Sequence, residues 1–363
     1  MSYFDDVYCG LCKDILENGV QVHNRTGIDT IKVPSAHFHL DLSKEFPILT
    51  TKQLFIRQAV TEMLWIYQAQ SNDVRWLQER NVHIWDKWEI NEDGDWIDEN
   101  TGKVLKHFDP SFAHTIGTAY GFIVKKYDLM NKLLNSLKND KEDRRRVISL
   151  WQDSELDTAV LPSCVWSSEW DVTDGKLNIW VHQRSCDVPL GLPFNVTQYA
   201  VLLMMVAKVT GLEPGTIDWS IKDAHIYVNQ IEGIKEQLNR YETKGSLPAP
   251  KLWLNPDIQD FYAFDPKKDV AATDKEDGDL TAKIEIVKNT VDMTKAGTYE
   301  VTYKVTDSEG ASTTKTITIT VKDKEFKADI NKPDTDEQNK DTGSVETGDR
   351  TNISFYTSLF EMS

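Results

Sequence analysis

The chain has 363 residues, 40% of them hydrophobic, with 11 Trp, four Cys and a formal net charge of −17. This is enough for one large domain and a smaller one, and the acidic excess excludes a general nucleic-acid-binding surface while leaving room for a local basic pocket for one small anion. Four thiols are too few for a disulfide scaffold and point to the reducing cytoplasm.

In chain order, the opening "MSYFDDVYCGLC" brings acids early and lacks the apolar core of a leader peptide. No apolar run approaches the ~18–20 residues of a membrane span. Cys9-Gly-Leu-Cys12 has the C-x-x-C spacing, but no second Cys or His pair accompanies it. It reads as incidental thiols on a helix that runs on through "KDILENGV". "HNRTG" places Arg25 in a Gly-containing turn. "QLFIRQAVTEMLWIYQAQ" (53–70) has helical apolar spacing. Glu62 lies among its apolar residues: on a buried face it would have a raised pKa and could move protons, and on a wet face it would be ordinary. "IWDKW" (84–88) offers Trp85 and Trp88 as a flat wall for a ring.

"DRRRVISLW" (143–151) sets three arginines before a strand. They read as phosphate forks or as a solvated basic turn. "LPSCVW" (161–166) puts Cys164 at the mouth of a strand, either as a small buried filler or as a nucleophile. The strands "SSEWDV" (167–172) and "KLNIWVHQRS" (176–185) flank Asp174-Gly175, a strong hairpin turn. Closing the hairpin there sets Cys164 opposite Ser185 and Val165 opposite Arg184, and a bulge could shift this by one or two positions. Either way Arg184 comes within reach of Cys164, where a guanidinium favours the thiolate. "QRSCDVPLGLPFN" (183–195) crowds Arg, Ser, Asp and Asn into bends at Pro189, Gly191 and Pro193. Such polar density is costly to bury unless it binds something. Asn195 can match the edge of a pyrimidine or cap the helix that begins nearby. That helix, "YAVLLMMVAKVTGL" (199–212), is apolar almost all round and expected to be buried. "DAHIY" (223–227) puts His225 and Tyr227 on one strand face, suited to a sugar hydroxyl.

All Trp and Cys precede residue 254, and residues 265–363 contain neither. The break marks a boundary near "DFYAFDPKKD" (260–269). Beyond it "KIEIV", "GTYEVTYKVTD" and "TKTITITVKD" alternate with period two, as in a small antiparallel β-sandwich. "DKEDGDLT" before them suggests a calcium loop at 274–279 or, more simply, a solvated acidic turn. Residues 323–350 are polar with one aromatic and read as disordered.

The motifs "NRTG", "FPILTTK", "TEMLW", "NVHIWDKW", "AYG", "RRRVISLW", "LPSCVW", "QRSCDVPLGLPFN", "DAHIYVNQ" and "PAPKL" together resemble the thymidylate synthase family. The resemblance implies an α+β fold over 1–264: a large mixed β-sheet with flanking helices, one of them long and buried. An immunoglobulin-like sandwich over 265–322, similar to bacterial surface modules, and a disordered polar tail over 323–363 complete the expected organisation. The implied reaction is methylation of dUMP to dTMP, with 5,10-methylenetetrahydrofolate as cosubstrate and no metal. Carried over, Cys164 attacks uracil C6, Arg184 stabilises the thiolate, and Arg25, Arg184 and Ser185 meet the phosphate. Arg144 and Arg145 would reach the phosphate of a second subunit, which implies a homodimer. Asn195 would read the uracil edge, with Gln183 and Asp187 also on the substrate. His225 and Tyr227 would hold the deoxyribose hydroxyl, and Glu62 and Tyr120 would handle protons. Trp85, Asp187, Leu190, Gly191 and Phe194 would line the folate side.

Two departures stand out. Val165 follows Cys164 where many family members have His. The family's closing C-terminal tail is replaced by a run into the sandwich, so dUMP binding is expected to survive while turnover falls. Rival readings are a dUMP or dCMP hydroxymethylase, for which Asp in place of Asn195 would favour cytosine, and a non-catalytic surface or binding module.

Overall fold

The first helix starts where local chemistry favours it. In α1 (Tyr3–Asn18) the Ser2 hydroxyl accepts from the Asp5 amide, and Asp5 and Asp6 lie in the first turn, where the helix dipole favours acids. Asp5 is fully buried, and its carboxylate accepts from the amides and hydroxyls of both Thr50 and Thr51. Those bonds tie the "FPILTTK" segment to α1. Cys9 and Cys12 are buried on the same helix, and burial raises both thiols to about 12.

The structure is a computed structural model that describes residues 2–24, 26–99, 101–266, 268–273, 285–289, 297–306 and 312–321. Arg25, the acidic stretch 274–279 and the tail 323–363 lie outside the described residues. After α1 come β1 (Val20–Val22), β2 (Thr30–Val33), β3 (Ala36–Asp41), α2 (Ile56–Tyr67), α3 (Arg75–Gln78), β4 (Asp95–Ile97), β5 (Val104–His107), α4 (Gly121–Lys126) and α5 (Leu129–Asn139). Then follow β6 (Val147–Ser149), β7 (Val165–Thr173), β8 (Lys176–Gln183), β9 (Cys186–Asp187), α6 (Gly191–Thr210), β10 (Glu213–Ile221), β11 (Ala224–Tyr227), α7 (Ile231–Lys244), β12 (Lys251–Leu254) and β13 (Val270–Thr273).

Two sheets matter for function. One runs β3-β10-β8-β7-β6, with β10 parallel to β8 and the other neighbours antiparallel. The other runs β1-β2-β11-β9, and β11 lies parallel to β9. This is the mixed sheet of an α+β fold. α2 buries Met63, Leu64, Trp65, Ile66 and Tyr67 and packs on α6. It starts at Ile56, three residues later than the periodicity suggests, because Leu54 and Phe55 form the turn that enters it.

α6 departs most from expectation. It begins at Gly191, so Pro193 and Asn195 lie inside its first turns and Asn195 is not a cap. Pro193 fits there because the first turn has no intrahelical acceptor for its missing N–H. The 20-residue helix is long and apolar enough to cross a membrane by composition, yet 78% of its most apolar window is buried inside the protein. It is the core helix between α2 and the sheet.

The chain divides into two compact units, Met1–Lys275 and Glu276–Ser363. Pairing of β12 with β13 carries the first unit beyond the composition break at 260–269. In the second unit β14 (Glu285–Asn289), β15 (Gly297–Thr306) and β16 (Ser312–Val321) form an antiparallel sheet in the order β14-β15-β16.

Gly211 ends α6 in the left-handed conformation, φ +68°, with the Leu212 amide donating back to the Ala207 carbonyl. A Cβ there would meet no neighbour within 4 Å, so only backbone strain opposes a side chain. Gly211→Ala is expected to cost about 1–2 kcal/mol. Denaturant unfolding followed by Trp fluorescence checks this, since every Trp belongs to the first unit.

Candidate active site

The site is built where the β7–β8 hairpin meets the start of α6. Asp174 and Gly175 both take positive φ, 50° and 75°, as a two-residue primed turn needs. From Thr173↔Lys176 the pairing runs regularly to Ser167↔His182 and then slips, so that Val165 faces Gln183. The bulge at Trp166 moves the expected partner of Cys164 by one residue, from Ser185 to Arg184. The Arg184 amide donates to the Cys164 carbonyl at 2.9 Å.

The Arg184 side chain continues the same contact. Its Nε donates to the Ser163 carbonyl at 3.0 Å and its Nη2 to the Pro162 carbonyl at 2.6 Å. Nη2 also lies 3.8 Å from Cys164 Sγ, and the guanidinium sits 5.7 Å from the centre of the Trp151 ring. The "LPSC" loop is thus clamped onto the cation that faces its thiol, and a guanidinium there stabilises negative charge on sulfur. Of the four cysteines only Cys164 is partly exposed. Cys186 is buried and its thiol is pushed far up by desolvation and by neighbouring Asp187.

Tyr120 closes the other side. Its hydroxyl accepts from the Cys164 amide at 3.2 Å, and burial holds its phenol well above the ordinary range. Its φ of +47° is a strained value for a bulky residue. The next residue must be Gly121, since a Cβ there would lie 2.1 Å from the Ser71 carbonyl oxygen. This is the physical content of "AYG".

Glu62 projects from α2 toward the same region. Trp85 Nε1 donates to its Oε1 at 2.7 Å, and Gln198 Nε2 donates to its Oε2. Burial raises the Glu62 carboxyl above the ordinary range, and the two donors oppose that rise. Trp85 packs against Tyr120, Trp88 and Trp65 with ring centres 5.2–6.0 Å apart. Asn195 accepts from Gln183 Nε2 at 3.1 Å and donates to Gln198 Oε1 at 3.3 Å.

The turn into α6 is held from three directions. Asp187 accepts from the Leu190 amide at 3.0 Å and from Gln230 Nε2 at 3.0 Å. Lys52 Nζ donates to the Pro189 carbonyl. Burial lowers the Lys52 pKa, opposed by Cys12 and Asp187. His225 pairs with Asp187 in the parallel register of β11 and β9 and contacts Asp223 at 3.0 Å. Tyr227 meets the His225 ring edge-on, with centroids 5.3 Å apart, and the Tyr227 amide donates to Gln230. Leu190 is 63% exposed and Phe194, Ser185 and Gly191 are half-buried at this rim.

The three arginines of "DRRR" divide. Arg146 is buried and donates to Ser136 and to the Asp143 and Asp140 carbonyls, a structural role. Arg145 is exposed and paired with Asp143 at 2.8 Å. Arg144 is exposed and lines an open hollow of about 390 Å³ with Glu169, Trp180 and Asp218, on the face of the five-stranded sheet. Gln198, Trp219 and Lys52 are site neighbours that the sequence reading missed. Gln198 heads the apolar run of α6 and Trp219 stands on the buried face of an alternating strand, so both read as core, and Lys52 sits in "FPILTTK" with no local pattern to mark its reach.

The model of the family described as thymidylate synthase matches residues 6–284, and that of the bacterial surface protein Ig-like domain matches 263–321. A thymidylate synthase of Clostridium beijerinckii is 49% identical over 266 residues, covering 73% of this chain and 92% of that protein. Thymidylate synthase 1 of Bacillus subtilis is 40% identical over 283 residues, with the same shares covered. Among solved structures, the thermostable thymidylate synthase A from Bacillus subtilis aligns with a TM-score of 0.64 and 37% identity, over 74% of this chain and 94% of that one. A Cys164–Arg184 clamp beside a buried carboxylate, carried on this fold and matched at this level, shows that the chain belongs to the thymidylate synthase family.

Proposed function

We propose that Cys164 is the nucleophile with which the first unit carries out thymidylate synthesis. The activity is the reductive methylation of dUMP to dTMP, with 5,10-methylenetetrahydrofolate as cosubstrate. The single observation that carries the residue assignment is the 3.8 Å approach of Arg184 to the one partly exposed thiol.

The geometry supports the following roles. Cys164 thiolate adds to C6 of the uracil ring, and the electron pair of the C5–C6 bond becomes available at C5, as covalent catalysis requires. The charge that develops on the ring oxygen needs a preorganised donor. Asn195 keeps one amide proton for that oxygen, and Glu62 holds water for proton transfer. Tyr120 fixes the Cys164 backbone. Loss of the C5 proton and departure of the thiolate restore the ring and the enzyme. Arg184 and Ser185 serve the phosphate end, where the family resemblance also assigns Arg25, and His225 with Tyr227 serves the sugar end. The folate supplies the one-carbon unit and the reducing equivalents when bound. The exposed apolar Leu190, with half-buried Phe194, Gly191 and Asp187, suits its flat ring, while Trp85 is buried among Trp65, Trp88 and Tyr120 and backs the site through Glu62.

We assign a homodimer and a cytoplasmic location on the same footing. Arg144 is exposed at the sheet face, Arg145 is exposed beside it in a pair with Asp143, and Val147, Trp166 and Trp180 are 37–52% exposed. Apolar surface of this kind suits a second copy, whose phosphate site the arginines would complete. A thiol nucleophile also needs a reducing compartment. The expected loss of the closing tail concerns residues from 274 on, which lie mostly outside the described ones.

Three outcomes are expected. Tritium release from 5-tritiated dUMP in the presence of the folate occurs with the native chain and disappears in Cys164→Ala, and retained turnover in that variant overturns the assignment. In native protein iodoacetamide modifies Cys164 first, and Arg184→Ala slows that labelling about tenfold, the effect of one pKa unit on thiolate fraction; peptide mapping reads both. Because the Glu62 carboxyl titrates above the ordinary range and acts when ionised, kcat falls as pH drops through that raised pKa. Glu62→Gln removes this acid limb and lowers kcat by about 10²–10⁴-fold, which a kcat–pH profile measures.

A further inference from the structure

A chain of side-chain hydrogen bonds crosses the core beneath the site. Trp219 Nε1 donates to Gln183 Oε1 at 3.0 Å, Gln183 Nε2 donates to Asn195 Oδ1 at 3.1 Å, and Asn195 Nδ2 donates to Gln198 Oε1 at 3.3 Å. Gln198 Nε2 then donates to Glu62, which also receives Trp85. Each of the three amides could in isolation be turned over, exchanging oxygen for nitrogen. Its ends remove that freedom. An indole N–H can only donate, so the Gln183 oxygen must face Trp219 and its NH2 must face Asn195. Once Glu62 is ionised it can only accept, so the Gln198 NH2 faces Glu62 and its oxygen faces Asn195. Both ends demand the same orientation of Asn195.

We propose that Trp219 is a specificity-determining positioning residue: its indole N–H sets the polarity of the Gln183–Asn195–Gln198 amide chain, and that polarity selects uracil over cytosine. The inference rests on the reading of Asn195 as the pyrimidine contact. Oδ1 of Asn195 has one lone pair left after Gln183, and Nδ2 has one proton left after Gln198. An acceptor at Oδ1 and a donor at Nδ2 match N3–H and O4 of uracil. Cytosine presents an acceptor at N3 and a donor amino group at C4, which sets like against like at both positions. A freely turning Asn195 would accommodate either base. Turning it here would oppose NH2 to NH2 at Gln183 and oxygen to oxygen at Gln198, and buried mismatches of that kind are strongly disfavoured.

Trp219 is suited to this part. It is fully buried on β10, stacked on Phe38 with an interplanar angle of 3° and met edge-on by Tyr199. Gln183 is also buried, and it is the last residue of β8, so both anchor points belong to the rigid sheet.

The test measures dissociation constants for dUMP and dCMP by calorimetry, without folate, in the native dimer and in Trp219→Phe, Gln183→Met and Tyr199→Phe. The native protein is expected to prefer dUMP. Trp219→Phe and Gln183→Met each remove the strand-side anchor and leave the Glu62–Gln198 end alone to hold Asn195, and each is expected to narrow the preference by about tenfold, the effect of one buried hydrogen bond. Tyr199→Phe removes the buried Tyr67–Tyr199 hydroxyl contact next to Trp219 without touching the amide chain, and is expected to keep the native ratio. An unchanged ratio in Trp219→Phe and Gln183→Met, with cooperative unfolding retained, overturns the proposal, as does an equal narrowing in Tyr199→Phe. Absence of a dUMP preference in the native protein overturns the reading of Asn195 itself, a result distinct from the other two.

Discussion

The site depends on one contact, the lock between Arg184 and the "LPSC" loop. A single guanidinium holds two backbone carbonyls and approaches Sγ, so the cation and the thiol cannot drift apart without breaking both of those hydrogen bonds. The lock exists because the β7–β8 hairpin slips by one residue at Trp166. Without that bulge Cys164 would face Ser185 and present its thiol to the other side of the pleat. One inserted residue therefore sets Cys164 directly opposite Arg184 instead of one position away from it.

Around this lock the protein places polar groups where burial would normally be unfavourable, and satisfies each through a neighbour on a different element. Asp5 on α1 holds Thr50 and Thr51, which brings Lys52 to the Pro189 carbonyl. Asp187 holds the Leu190 amide and Gln230. Glu62 is shared by Trp85 and Gln198. Networks of this kind are high-stakes in a low-dielectric interior: complete, they rigidify, and incomplete, they destabilise. The exception is Ser163, whose buried hydroxyl alone among the buried side-chain polar atoms of the described residues has no partner, directly before Cys164.

The acidic net charge and an anion-binding site coexist because the basic groups are local. Arg184 is held at the thiol by carbonyls, not by carboxylates, so its charge stays available. Arg146, from the same chain region as Arg144 and Arg145, is consumed by loop carbonyls. Identical side chains in one tripeptide thus serve different ends, decided by which way each faces.

Much of this was legible in the sequence. The Asp-Gly turn, the alternating strands beside it and the apolar run of α6 follow from periods of 2 and 3.6 residues and from turn chemistry, which are local. The nearness of Cys164 and Arg184 follows from hairpin arithmetic, and the composition break at 260–269 needs no coordinates. What only the tertiary structure decided is non-local. The one-residue bulge has no signature in "CVWSS". The start of α6 at Gly191 overrides the expectation that Pro193 and Asn195 precede the helix, since a Pro in a first turn costs nothing there. The amide chain joins residues from α2, β8, α6 and β10, and neither Gln198 nor Trp219 looks like more than core in its own segment. Local sequence specifies which way a backbone turns. The orientation of an amide depends on donors and acceptors that reach it only when distant strands and helices are packed together.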